Sequence, residues 1–253
     1  MFSRKMFMSL MLLFLLMNLL PAYAGATSID IDIRGFDGTV GVFAKNLKTG
    51  KTVAYNQDVV FPTASTSKLV VALAAYKYLY PNLTMDARNS YDEVIERMIE
   101  FSDNDAFYYL LSEIDDQPFD LLSGVIADFG LPKTKIHNSE AFKEYQYSSV
   151  TTPFEMASIF LRIFDGDYLC ALKSQTLTDE LANTIFNDEI PRYLSSRVMH
   201  KVGQLDDILC DVGIVDDGKD KILISIYTET DKGEEYASDF IAAISQKLYA
   251  ELK

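Results

Sequence analysis

Strand-like patterns stand at the two ends of this chain, and the long stretch between them reads as helix. Near the start, residues 39–47 and 51–55 are β-prone runs around Lys48-Thr49-Gly50, the pattern of a hairpin with a glycine turn. Near the end, residues 198–202, 210–215 and 222–228 are strand-like, and 234–252 has the spacing of an amphipathic helix. Strands so far apart share one core only by pairing across the helical insertion. The expected fold is therefore α/β of the α+β kind: an antiparallel sheet of about five strands built from both chain ends and flanked by helices, with an inserted all-helical lobe. The sheet lobe takes residues 25–64 and 195–253, and the helical lobe 65–194. No repeat, low-complexity tract or long linker interrupts them.

The helical lobe opens with Lys68-Leu69-Val70-Val71-Ala72-Leu73-Ala74-Ala75-Tyr76, a run too long and alanine-rich for a strand, closed by Pro81. It is apolar on nearly every side, which predicts a helix buried on most faces. Further helices are expected near 91–101, 104–114, 119–129, 153–164 and 178–186. The fourth begins with Thr152-Pro153-Phe154-Glu155, a threonine cap, proline at the first helical position and glutamate at the third.

Residues 1–24 are read as a secretory leader: Arg4 and Lys5, an apolar run from Met6 to Leu20, then Pro21 and Ala22-Tyr23-Ala24 before the expected cleavage. The rival, an uncleaved anchor, has an apolar run short of the ~20 residues that span a bilayer. The protein is thus expected in the periplasm or outside the cell, without stable membrane insertion after cleavage. The chain carries a net charge of −14, and removing two leader bases from its 23 leaves 21 against 37 acids, or −16. Such a surface repels nucleic acid and anionic lipid. Cys170 and Cys210 could pair in an oxidising compartment, although their separation in sequence decides nothing about geometry. Two histidines and no close-set ligands give no support to a zinc site.

Three short motifs occur in order: Ser65-Thr66-Ser67-Lys68, Ser102-Asp103-Asn104 and Lys201-Val202-Gly203. The first and third each recur by chance about once per ~240 positions, so their weight comes from the ordered set. Ser65 at a helix start and Lys68 one turn later lie on one face, where the amine can reach the hydroxyl. A serine attacks poorly until a base takes its proton, and a lysine is that base only when its neutral form is accessible.

This trio is a signature of class A β-lactamases and penicillin-binding proteins, and the chain resembles class A sequences over nearly its whole mature length. Phe61-Pro62-Thr63-Ala64, Thr151-Thr152-Pro153, His200 and Tyr227-Thr228 extend the resemblance. It implies a serine β-lactamase-like hydrolase that works without metal or organic cofactor, probed by a small-molecule β-lactam or D-alanyl peptide, and expected to be a monomer. It further implies Ser65 as nucleophile, Lys68 as base, Ser102 as proton relay to the leaving nitrogen and Asn104 on the substrate amide. Lys201 would support the hydroxyls and the substrate carboxylate, Val202 and Gly203 would line the substrate strand, and the N–H groups of Ser65 and Gln204 would form the oxyanion hole.

Three departures qualify the resemblance. Ten residues after Gly130 stands Glu140, where the family places its deacylating glutamate, but Glu144 replaces the asparagine four residues later and the loop is short. Val202 occupies a position the family usually gives to a hydroxyl residue, and no arginine lies between Lys201 and Asp211, leaving Arg192 or Arg197 to reach in. The Ser65 to Ser102 spacing is also short. The rivals are therefore a penicillin-binding protein or D-alanyl peptidase-like cell-wall enzyme with slow deacylation, and a noncatalytic binding domain that keeps the fold.

Overall fold

A computed structural model of the protein describes residues 33–253, so the expected leader 1–24 lies outside the described residues. Among them no helix is long and apolar enough to cross a membrane. The strands are β1 (Thr39–Asn46), β2 (Thr52–Tyr55), β3 (Phe61–Pro62), β4 (Val150–Thr151), β5 (Arg197–Gln204), β6 (Ile208–Asp216) and β7 (Lys221–Glu229). The α-helices are α1 (Ser67–Ala74), α2 (Met85–Glu100), α3 (Asn104–Asp115), α4 (Leu121–Phe129), α5 (Ser139–Tyr145), α6 (Pro153–Asp165), α7 (Ala171–Ala182) and α8 (Glu234–Leu252).

The chain ends meet as expected. Five antiparallel strands run in the order β2-β1-β7-β6-β5, and β1 pairs with β7 in full register from Thr39 opposite Glu229 to Asn46 opposite Ile222. β3 and β4 form a separate two-stranded ribbon. Alternation along the strands separates two apolar layers. Val42, Ala44, Ile224 and Ile226 pack with Ile241 and Leu248 of α8, whereas Phe43, Leu223, Tyr227 and Met199 pack with the helical lobe. β5 is an outer strand, so one backbone edge is left free of sheet pairing.

Helix α1 runs through the centre of the lobe, and Leu69 through Ala75 are wholly buried. It continues through a wider π-helical turn, Ala75–Leu79, and a 3₁₀ turn that contains Pro81. Thr152 caps α6 by accepting from the Glu155 N–H at 3.1 Å. Glu155 does not reach back to complete a capping box. Its carboxylate accepts from Thr134 Oγ1 at 2.6 Å and the Lys133 N–H at 3.1 Å, fixing the segment that leads to α5.

Some boundaries depart from expectation. α2 begins at Met85 because Thr84 caps it through the Ala87 N–H. α7 begins at Ala171 and ends at Ala182, not 178–186, because much of its buried face is polar: Lys173, Ser174, Thr178 and Glu180. α5 was expected as loop; Asn138 caps it by accepting from the N–H groups of Glu140 and Ala141. Cys170 is exposed and Cys210 buried, and both are free thiols.

Candidate active site

The 3₁₀ turn Ala64–Thr66 delivers Ser65 to the head of α1. Thr66 Oγ1 is held by Thr63 O at 2.6 Å and by the Tyr227 hydroxyl of β7 at 2.8 Å, and Ser67 Oγ donates to Ala64 O at 2.8 Å. Ala64 has φ 46°, a left-handed conformation unusual for a residue with a Cβ. The sheet thus holds a strained turn in place beneath a half-buried Ser65.

Lys68 follows within one turn and is only 2% exposed. Its Nζ donates to Ser102 O at 2.6 Å, Ser102 Oγ at 3.1 Å and Asn104 Oδ1 at 2.8 Å. Lys201, fully buried on β5, donates to the same Ser102 Oγ at 2.9 Å and to Val202 O at 3.2 Å. Ser102 is itself left-handed, with φ 52°, immediately before α3. Asp103 caps that helix through the Ala106 N–H at 3.0 Å and is gripped by Arg97; those two contacts hold its carboxyl below the usual carboxylate range. Lys68, Ser102, Asn104 and Lys201 therefore come from three separate stretches to one place, with Ser65 one helical turn before Lys68.

Burial sets the chemistry of the two amines. It lowers Lys68 to about 8, against the opposing pull of Asp103. It lowers Lys201 to about 7, with the charge of Lys68 acting in the same direction. Two aromatic rings contribute to this dry setting: Phe107 lies 5.7 Å from Lys68 Nζ and Phe186 lies 5.6 Å from Lys201 Nζ. No sequence motif marks either ring, although Phe107 stands three residues after Asn104, on the same helical face. A serine hydroxyl has two lone pairs and one proton. With both lone pairs of Ser102 Oγ engaged by lysine N–H donors, its proton is left for transfer elsewhere.

The free edge of β5 supplies the other half of the site. A Cβ placed on Gly203 would stand 2.8 Å from Cys210 Sγ, 2.9 Å from Thr63 O and 3.0 Å from the Ser65 nitrogen, so glycine lets this strand lie against the serine turn. Leu205 N–H donates inward to Ile208 O at 2.9 Å. Backbone groups alternate sides along a strand, so the neighbouring Gln204 N–H turns to the outer edge. Val202 is 9% exposed and belongs to the apolar layer beneath α8. On that same face His200 Nδ1 meets Asp211 at 2.9 Å, and Asp211 also accepts from the Ile190 N–H at 3.0 Å. This buried pair, missed from the sequence, ties β5 to β6 directly behind Lys201.

The remaining candidates pair with groups outside this cluster. Glu140 lies on α5 with its side chain 77% exposed and paired to Lys135 at 3.6 Å. Arg192 binds Asp239 and Ser238 on α8, and Arg197 binds Asp179 at 2.8 Å. Among the described residues no group of three His, Cys, Asp or Glu is arranged to hold a metal ion.

An antiparallel sheet, a helical insertion and a serine–lysine site where they meet together define a β-lactamase/transpeptidase-like protein. The sequence model of the Beta-lactamase enzyme family matches residues 26–83 and 79–252, and the chain belongs to that family. Comparison with curated proteins gave no match. Among solved structures, PBP-A is 24% identical with TM-score 0.73, covering 87% of this chain and 91% of its own. A β-lactamase from Sphaerobacter thermophilus is 20% identical with TM-score 0.70, covering 85% and 92%. The TLA-1 extended spectrum β-lactamase is 18% identical with TM-score 0.76, covering 90% and 98%.

Proposed function

We propose that this chain is an exported serine hydrolase that opens β-lactam amides through an ester on Ser65. The observation that carries the reading is the convergence of Lys68 and Lys201 on the Ser102 hydroxyl, one helical turn from Ser65. With its amine neutral, Lys68 takes the Ser65 proton as Oγ attacks the lactam carbonyl. The carbonyl oxygen, now an anion, is received by the N–H groups of Ser65 and Gln204. When the C–N bond breaks, Ser102 gives its proton to the leaving nitrogen and is reprotonated from the lysine pair. Water then hydrolyses the ester, with Glu140 as the base proposed for that step.

A second reading is favoured by the exposed position of Glu140 and its pairing with Lys135. Under it the ester forms and persists, as for a penicillin-binding protein or a D-alanyl peptidase-like cell-wall enzyme. One solved relative, a PBP-A variant 23% identical to this chain, is described as an acyl-enzyme complex with penicillin G.

The test is to mix the protein with penicillin G and a chromogenic cephalosporin and follow colour and intact mass. Sustained colour supports the hydrolase, and a lasting adduct that Ser65→Ala abolishes supports the second reading. No adduct and no colour overturn both and leave a noncatalytic domain. Glu140→Gln then assigns the last step: a water-activating Glu140 makes ester release at least about a hundredfold slower on removal, and an uninvolved one leaves it unchanged.

A further inference from the structure

A pocket lies at the opposite end of the central helix from Ser65, about 18 Å along the axis at ~1.5 Å per residue. Its volume is about 500 Å³, within the usual range for small-molecule sites. The π-helical turn after α1 supplies Tyr76 and Lys77, the 3₁₀ turn Tyr80, α2 Arg88, and the α6–α7 connection Tyr168 and Cys170. π turns interrupt helices rarely and frequently at functional sites.

The charges in this pocket are unevenly compensated. Lys173 at its base is closed by Asp92, with contacts of 2.6 and 2.7 Å, and its ammonium lies 4.4 Å from the centre of the Tyr80 ring. Lys77 lies 4.5 Å over Tyr168 and donates to the Tyr168 carbonyl at 3.2 Å. Arg88 lies 5.2 Å over Tyr80 and donates to the carbonyls of Tyr80 and Pro81 at 3.2 and 2.9 Å. Among the described residues neither Lys77 nor Arg88 has a carboxylate partner. The nearby Asp128 is occupied by the hydroxyls of Tyr78 and Tyr168. In a chain where acids outnumber bases 37 to 23, two uncompensated cations on one cavity are a local reversal of sign. At the rim Met85 and Leu172 are each 70% exposed, an apolar border beside those charges.

We infer that this cavity binds a small organic anion with a flat apolar body, its charged group held by Lys77 and Arg88 and its body lying against Tyr80, Tyr168 and the Met85–Leu172 rim. Arg88 retains N–H donors beyond the two it spends on carbonyls, which suits a carboxylate, sulfonate or phosphate oxygen. The exposed Met85–Leu172 border beside those charges suits an apolar aromatic body. The proposal is independent of the chemistry at Ser65.

Cys170 serves as a built-in reporter, since it is the exposed thiol of the two and lines the pocket. The probe is 8-anilinonaphthalene-1-sulfonate, titrated by fluorescence, with uncharged N-phenyl-1-naphthylamine as control. Alkylation of Cys170 by iodoacetamide is followed by intact mass with and without the sulfonate. We expect saturable 1:1 binding of the sulfonate, at least about tenfold weaker binding of the uncharged analogue, and about tenfold losses in Lys77→Glu and Arg88→Glu. We also expect the bound sulfonate to slow alkylation of Cys170. Unchanged melting temperatures would show that both variants fold. The inference is overturned if the uncharged probe binds as well, if charge reversal leaves affinity unchanged, or if Cys170 reacts as fast with the sulfonate present.

Discussion

Two lysine amines share one hydroxyl oxygen at Ser102, and burial makes both of them weaker proton holders. An amine whose pKa falls on folding binds its proton less tightly in the folded state than in the unfolded one. Between about 7, the folded value for Lys201, and its ordinary 10.5, the unfolded chain carries a proton that the folded chain has lost. Raising pH through that window therefore removes the destabilising share of Lys201, and below it the burial penalty of this amine is at its full size. We expect the melting temperature of the native chain to gain on that of Lys201→Met from pH 7 to pH 9, while Ser65 acylation climbs as the amines near 7 and 8 lose protons. A flat acylation profile over pH 6–9 would remove Lys68 as the base. Val202→Thr tests carboxylate recognition: a charge-assisted hydrogen bond contributes ~1.5–3 kcal/mol, so penicillin acylation should accelerate about tenfold. No acceleration, with a lowered melting point from the buried hydroxyl, would show that Val202 serves packing alone. The motif residues could be read from the sequence because short spacings put them on single elements. The rings of Phe107 and Phe186 and the His200–Asp211 pair could not, since only tertiary packing brings them to the lysines.

At the level of elements, the outer strand β5 and the turn at Ser65 depend on each other. Gly203→Ala would press a methyl group into Thr63 O and the Ser65 nitrogen, so the strand must withdraw or the turn must move. Either motion displaces an oxyanion donor, and losing one costs ~3 kcal/mol. We expect acylation to fall at least about a hundredfold with only a modest loss of melting temperature; a near-normal rate would mean that the Gln204 N–H does not receive the oxyanion. Sequence periodicity located α8 over its full span and placed the middle of most other elements, because their buried faces are apolar. It misplaced α7, whose inner face is largely polar, and that error put Phe186 in a helix when it follows one and stands over Lys201. It missed α5 because seven residues held by an asparagine cap show too few turns for periodicity to register.

Over the whole molecule, the expected architecture could be read because strands at both chain ends share one core by pairing across the helical insertion, whereas the order β2-β1-β7-β6-β5 could not. The offset of acid over base fixes the sign of most of the surface, and the pocket at the far end of α1 is legible only against that background. The sheet has a further consequence for how the protein is made. β1, with β2 beside it, finds its other neighbour in β7, across roughly 180 residues of intervening chain. A nascent polypeptide that has completed every catalytic motif still lacks the strand that joins its two halves. We expect a version ending at residue 216 to show no cooperative thermal transition, and a sharp one would contradict this. Until the final stretch of translation the serine turn has no Tyr227 to grip Thr66, so the reactive centre is among the last features to be set.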